Sequence, residues 1–108
     1  MEAKVTKNDE TVSLSLSGDL TIYEAEAIKK GILDAVYQEG KNLEINLSEI
    51  DEIDACGIQV LMLAKRECEK LDKKMELVSH SSAVLEIIDV FHLAEYFGDP
   101  LLISNAKN

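Results

Sequence analysis

Residues 49–63 read EIDEIDACGIQVLML, and the periodicity of the chain changes in the middle of this stretch. Its first half alternates acidic residues with isoleucines, which we interpret as a solvated loop that ends in Asp54, the N-cap of a helix. Apolar residues then recur at helical spacing from about Gly57 onward. The short segment DACG (residues 54–57) therefore joins an acidic loop to the beginning of a helix.

Strand and helix patterns alternate on both sides of this stretch. Serine alternates with apolar residues over residues 12–17, which predicts a half-buried strand, and a turn at residues 8–10 separates it from a weaker, earlier strand. The remaining patterns predict, in order, a helix capped by Thr21 and ended by Gly40, a strand at 42–50, a helix from 57 to 71, a strand at 74–80, a helix capped by Ser81 or Ser82, and a last strand at 101–104.

Two strands followed by strict alternation of helix and strand predict a mixed sheet. We therefore expect a single α/β domain over residues 1–108, with four to five strands covered by three or four helices. Right-handed crossovers would place segment 54–57 at the sheet edge where such folds usually carry their sites. Each predicted helix has an apolar stripe for the core; the stripes are Ala25, Ile28, Ile32 and Ala35, then Leu61, Ala64, Cys68 and Leu71, then Val84, Ile88 and Phe91.

The charge of the chain restricts the classes of partner. Eleven basic and 21 acidic residues give a formal charge of −10, which repels phosphate backbones and anionic lipid and so disfavours nucleic acid and membrane surfaces. The same charge favours a partner with a basic docking face. No apolar run reaches the roughly 18 residues of a membrane span, and the two cysteines form no spaced framework, so we expect a cytoplasmic protein without membrane insertion.

Cysteine and histidine chemistry has little support in the sequence. Cys56, Cys68, His80 and His92 follow one another at intervals of 12 residues, without the short pair that seeds a metal site. A helix N-terminus would activate the Cys56 thiol, but the neighbouring Asp54 opposes thiolate formation. We therefore expect no metal, no cofactor and no catalytic residue, and Cys56 is either a redox sensor or a small residue tolerated in a tight turn.

Ile58 and Met62 lie one turn apart in the predicted helix, off its main apolar stripe. They either widen the core-facing surface of the helix or form an exposed apolar pair that anchors a protein partner beside the polar turn. The residues alone leave both interpretations open.

Three motifs, in their order and spacing, resemble the STAS domains of bacterial anti-sigma-factor antagonists over residues 12–97. They are LSGDL at 16–20, similar to the family's L-x-G-x-L; DACGI at 54–58, similar to D-x-x-G-hydrophobic; and the helix that starts at Ser81, similar to S-x-x-V-x-x-hydrophobic. The resemblance implies the STAS fold and a protein-binding function rather than catalysis.

The resemblance also identifies a position that departs from the family pattern. In that family the residue before the signature glycine is usually a serine or threonine, which an anti-sigma kinase phosphorylates to release the antagonist. Cys56 occupies this position and cannot take that serine phosphate, and Ala55 offers no substitute. Thr21 and Ser48 keep hydroxyl groups near the same edge, either as modification sites or as cap and turn residues.

The resemblance implies that the protein binds an anti-sigma factor of the histidine-kinase-like ATPase type, or a related regulator, in a partner-switching pathway. The alternatives are a STAS adaptor of a chemosensory cluster or of a lipid-transport ATPase complex, and a redox-sensing variant that uses Cys56. We call the predicted partner-binding surface the candidate edge; it consists of Asp19, Thr21, Ile22, Asp54, Ala55, Cys56, Gly57, Ile58 and Met62.

Overall fold

The structure, a computed structural model, describes residues 1–98. Over these residues the strands and helices follow the predicted order, with one further short helix at the end. The predicted strand at 101–104 lies outside the described residues. The elements are β1 (Glu2–Asn8), β2 (Thr11–Leu20), α1 (Ile22–Val36), β3 (Asn42–Ile53), α2 (Ala55–Lys70), β4 (Lys74–Val78), α3 (Ser82–Val90) and α4 (Ala94–Phe97).

The strands of residues 1–98 form one mixed sheet in the order β1-β2-β3-β4. β1 and β2 pair antiparallel across a turn at Asp9 and Glu10, whereas β2 pairs parallel with β3, and β3 parallel with β4. Each parallel pair is joined by a helix, because parallel strands need a crossover connection. The arrangement confirms the predicted α/β class and its mixed sheet.

Alternation along the strands places their apolar side chains in one core. Ser15 of β2 and Glu76 of β4 occupy alternate positions and are exposed. Removal of the apolar side chains from water is the main term that stabilises this arrangement. The core includes Val12, Leu14 and Leu16 of β2, Leu43, Ile45 and Leu47 of β3, Met75 and Leu77 of β4, and Ile28, Ile32, Leu61, Ala64, Val84 and Ile88 of the helices.

Two residues of the predicted apolar stripes lie at the surface instead. Leu71 is 45% exposed and Phe91 is 46% exposed. They are the C-cap residues of α2 and α3, so the helical periodicity that would have turned them toward the core ends at these positions. The other stripe residues are buried, apart from the half-buried Ala25.

The end of β3 corrects the predicted acidic loop. Segment 49–53 is strand and pairs with the end of β2. β3 holds one residue more than β2 between Asn46 and Glu49, and this bulge changes the face that the following residues occupy. Ile50 is therefore only 2% exposed, although it is out of phase with the apolar positions earlier in β3.

The end of α1 also differs from the prediction. The helix ends at Val36 with Tyr37 as its C-cap, so Gly40 does not terminate it. Gly40 has a φ of +149°, and a Cβ there would lie 2.9 Å from the carbonyl oxygen of Glu10. The glycine instead lets the loop after α1 pass close to the β1–β2 turn, where Lys41 N donates to the same carbonyl oxygen.

Candidate functional site

The candidate edge forms where the parallel strands β2 and β3 end side by side. Leu20 and Ile53 are the last residues of these strands and pair with each other. Thr21 and Asp54 follow them directly and are the N-cap residues of α1 and α2. The first turns of the two helices therefore lie next to each other, which is the placement that the crossover rule predicts for segment 54–57.

The carboxylate of Asp54 caps both helices. Its Oδ1 accepts a hydrogen bond from Gly57 N at 3.1 Å, as predicted for the N-cap of α2, and its Oδ2 accepts one from Ile22 N of α1 at 2.9 Å. Thr21 has the N-cap position of α1, but its hydroxyl makes no capping hydrogen bond, which corrects the predicted cap. One negative charge thus meets the positive ends of two helix dipoles.

Gly57 lets α2 start against the end of β2. The helix begins at Ala55 rather than at about Gly57. A Cβ on Gly57 would lie 2.2 Å from the carbonyl oxygen of Leu20 and 2.9 Å from side-chain atoms of Leu20 and Ile53. Rotation of a side chain cannot relieve a clash with a backbone carbonyl, so any larger residue must push the helix off the strand. This contact is the physical reason for the glycine of the D-x-x-G motif.

Cys56 lies in the first turn of α2 with a free, half-buried thiol. It lines an open groove of about 250 Å³ between α1 and α2. Ile22 and Val60 add apolar surface to this groove, and Glu26 and Lys29 bring charges of opposite sign. The volume of this groove is below the usual range for small-molecule sites, roughly 300–1,000 Å³.

The exposed apolar residues of the edge differ from the predicted pair. Ile58 is 3% exposed and belongs to the core, and Met62 is half-buried against it, so the pair widens the core face and is not an exposed anchor. Ile22 is 60% exposed and Tyr23 is 93% exposed, in the first turn of α1. Tyr23 was missed, although an aromatic residue outside the apolar stripe of a helix is a usable signal in the sequence.

Of the remaining predicted residues, Asp19 and Ala55 lie on the candidate edge and Ser48 lies outside it. Asp19 is exposed and pairs in the β2–β3 register with Glu52, so two carboxylates lie on neighbouring strands. Ala55 is exposed at the start of α2. Ser48 lies at the β3 bulge, away from the strand end, where its backbone N and its hydroxyl donate to Asn46 Oδ1 at 2.9 and 2.7 Å. Ser48 therefore lies in strand β3 rather than in a turn or a helix cap.

The chemical groups of residues 1–98 do not gather into a metal centre: no three His, Cys, Asp or Glu side chains come together at a geometry that could hold an ion. Cys68 is fully buried in α2, and burial raises the pKa of its thiol. Within the same residues, no helix has the length and apolar character to cross a membrane.

The family is decided by a match over nearly the whole chain. Residues 3–103 match the family model described as "Mlab, STAS domain". The chain belongs to the STAS domain family. This result agrees with the resemblance of the LSGDL and DACGI motifs, and the D-x-x-G glycine of this STAS domain has the steric role described above for Gly57.

One relative and two solved structures are similar to this STAS domain. The intermembrane phospholipid transport system binding protein MlaB of Haemophilus influenzae is 30% identical over 96 residues, which cover 86% of this chain and 91% of MlaB. The unphosphorylated anti-sigma factor antagonist SpoIIAA has a TM-score of 0.73 at 22% identity, with 91% and 87% of the chains covered. An antagonist from Mycobacterium paratuberculosis has a TM-score of 0.81 at 20% identity, with 99% and 94% covered.

Proposed function

We propose that this STAS domain is a subunit of an intermembrane phospholipid transport system, where it binds the transport ATPase and performs no catalysis of its own. The observation that carries the proposal is the match to MlaB along most of both chains. The similarity to the antagonists is lower in sequence and supports the fold alone. The two free cysteines favour a reducing compartment, which supports a place in the cytoplasm.

The candidate edge and the adjacent Tyr23 supply a surface suited to this role. Ile22 and Tyr23 present apolar surface from the first turn of α1, and Asp54 fixes that turn against α2. A rigid aromatic residue that is exposed before binding is a typical anchor of a protein interface. Cys56 lines the same groove as Ile22. Its side chain is a thiol, so this position has no hydroxyl that a kinase could phosphorylate. We therefore propose that binding is constitutive and that regulation resides in the partner.

Anti-sigma-factor antagonism is the second candidate. It is favoured by the position of Cys56, which corresponds in the DACGI motif to the residue that is usually phosphorylated in the antagonists that this sequence resembles. This function would require an anti-sigma factor as the partner of the same edge. A redox-controlled form of either function rests on the free, half-buried thiol of Cys56.

The partner is tested by affinity purification from the source cells with the tagged full chain, followed by mass spectrometry. Native protein, Cys56→Ser and Cys56→Asp serve as baits side by side. We expect the transport ATPase with the first two baits and its loss with Cys56→Asp, because a new charge desolvated in the contact costs on the order of 2–5 kcal/mol. Recovery of an anti-sigma factor would establish the second candidate, and recovery of chemoreceptor-array proteins would contradict both.

The redox form has a separate test. Peroxide treatment of the native protein should weaken partner binding only if oxidation of Cys56 controls the contact. Cys56→Ser is the matched control, because it keeps the size of the side chain and removes the thiol. Equal binding by treated and untreated native protein would show that the thiol is not a switch.

A further inference from the structure

A second groove lies on the α3 side of Asp54, between the end of β3 and α3. Its volume is about 540 Å³, and it shares no lining residue with the groove that contains Cys56. Thr21 and Asp54, which belong to the candidate edge, also line this groove. We call it the α3 groove.

The floor of the α3 groove is apolar and open to solvent. Ile53 and Ile87 are half-buried, Val90 is 63% exposed and Phe91 is 46% exposed. Phe91 is the C-cap of α3 and Val90 is the last residue of that helix. Exposed apolar surface of this kind, when it is contiguous, marks a place where another molecule binds.

The rim of the α3 groove is acidic on both sides. Asp51 and Glu52 come from β3 and Glu86 comes from α3, and all three are exposed. Among residues 1–98, no Lys, Arg or His lines the groove, and none of the three carboxylates forms an ion pair. The facing walls therefore carry charge of one sign, which favours a cationic occupant.

We infer that the α3 groove binds a basic amphipathic segment of a protein partner. The apolar side chains of the segment pack on Ile87, Val90 and Phe91, and its Lys or Arg residues pair with the rim carboxylates. Anionic membrane surface fits poorly, because the rim would repel it. A second copy of this chain also fits poorly, because each copy carries a formal charge of −10. This surface adjoins the candidate edge and shares Thr21 and Asp54 with it, and the inference does not depend on the identity of the transport ATPase.

The inference is tested with the full 108-residue chain and a fluorescent amphipathic peptide of leucine and lysine. A second peptide, in which glutamate replaces every lysine, has the same apolar face. Fluorescence anisotropy should show binding of the lysine peptide that weakens as salt is raised, and no binding of the glutamate peptide. Equal binding of both peptides, or no binding of the lysine peptide, overturns the inference.

Variants of the groove locate the binding. Glu52→Gln with Glu86→Gln should weaken peptide binding by about tenfold, whereas Glu39→Gln with Glu69→Gln, an equal charge change at exposed positions outside the groove, should leave it within about twofold. Equal losses in the two double variants would attribute the binding to net charge and overturn the inference.

A pair of valines tests the apolar part of the site. Val90→Ser should weaken binding of the lysine peptide by about fivefold or more, and Val5→Ser, a partly exposed valine of β1, should not. Far-ultraviolet circular dichroism verifies that both variants fold. Unchanged binding by Val90→Ser overturns the inference. Self-association of the native chain that is abolished in Val90→Ser also overturns it, because that result would show that the groove binds a second copy of the chain. Tyr23→Ala should leave peptide binding unchanged, which separates this test from that of the candidate edge.

Discussion

Helices α1 and α2 are joined by hydrogen bonds at both ends. At their N-terminal ends one carboxylate accepts a hydrogen bond from each helix, whereas near their C-terminal ends a side chain that follows α1 donates to a side chain of α2. Asp54 accepts hydrogen bonds from the backbone N–H groups of Ile22 and Gly57. At the other end, Tyr37 Oη donates to Glu67 Oε1 at 2.7 Å. Hydrogen bonds to a carboxylate connect the helices at both ends, but the exposed tyrosine differs: it is Tyr23 at the N-terminal end and Tyr37 at the C-terminal end.

The difference concerns what an exposed tyrosine does in each place. Tyr37 is 55% exposed and is engaged by Glu67, so its hydroxyl has a role in the fold. Tyr23 is 93% exposed, and its hydroxyl makes no hydrogen bond within residues 1–98. An exposed aromatic side chain is therefore a candidate for the proposed partner-binding surface only when the fold gives it no other role, and Tyr23 meets this condition.

Among changes at the N-terminal ends of α1 and α2, Gly57→Ala should reduce the stability of the fold most. The new Cβ would meet the Leu20 carbonyl oxygen at 2.2 Å, so we expect the free energy of unfolding to fall by about 3 kcal/mol. Gly31→Ala is the matched control in α1, because its Cβ would have its nearest neighbour at 3.8 Å, and helix propensity predicts a gain of about 0.5–1 kcal/mol. Urea denaturation measures both, and similar effects of the two changes would contradict the steric account of the edge.

Asp54→Ala should have the next largest effect, because it removes the cap of both helices. We expect a loss of about 2 kcal/mol, against about 1 kcal/mol for Ser81→Ala, which removes the single hydrogen bond from Val84 N at the start of α3. Chemical denaturation of the two variants under the same conditions makes the comparison. If Asp54→Ala costs no more than Ser81→Ala, the second hydrogen bond does not stabilise the edge.

The two cysteines of α2 should respond differently to the same change. Cys68 is fully buried, so Cys68→Ser places a hydroxyl in the core and should cost about 1.5 kcal/mol. Cys56 is half-buried at the edge, and Cys56→Ser should change stability by less than about 0.5 kcal/mol. Iodoacetamide should modify Cys56 and spare Cys68 in the folded protein, because burial raises the pKa of the Cys68 thiol. Rapid labelling of both thiols would contradict the placement of Cys68.

The smallest effect on stability is expected from Tyr37→Phe, at the C-terminal ends of α1 and α2. The hydrogen bond from Tyr37 lowers the pKa of Glu67, with a further contribution from Lys70. A lowered carboxyl pKa in the folded state contributes stability above the ordinary carboxyl pKa, and this contribution is lost as the pH falls through the lowered value. Tyr37→Phe should therefore raise the Glu67 pKa and slightly reduce stability at neutral pH. An NMR titration that finds the Glu67 pKa unchanged would show that the contact is not formed in solution.

Local patterns were sufficient to predict the order of the elements and the N-cap of α2, and they limited the N-cap of α3 to Ser81 or Ser82. Period-two and helical spacings identified the strands and helices through α3. Asp54 and Ser81 each accept a hydrogen bond from the backbone N–H three residues further along the chain. Each of these features depends on residues that are close together in the chain, so it can be predicted from the local sequence pattern.

Other features depend on contacts between distant parts of the chain. The second hydrogen bond of Asp54 joins residues 32 positions apart, and the bulge that turns Ile50 inward is set by the register between β2 and β3. Ile58 is buried because the first turn of α2 lies directly against the end of β2. The α3 groove likewise combines residues of β3 and α3 that no sequence motif connects.

The central claim, that the N-terminal ends of α1 and α2 bind the partner, is tested most directly by the affinity of the purified transport ATPase for native, Tyr23→Ala and Tyr37→Ala protein. Isothermal titration calorimetry should show at least tenfold weaker binding for Tyr23→Ala, the loss expected for an interface anchor, and a change of less than about threefold for Tyr37→Ala. Unchanged affinity for Tyr23→Ala, or an equal loss for Tyr37→Ala, would contradict the account.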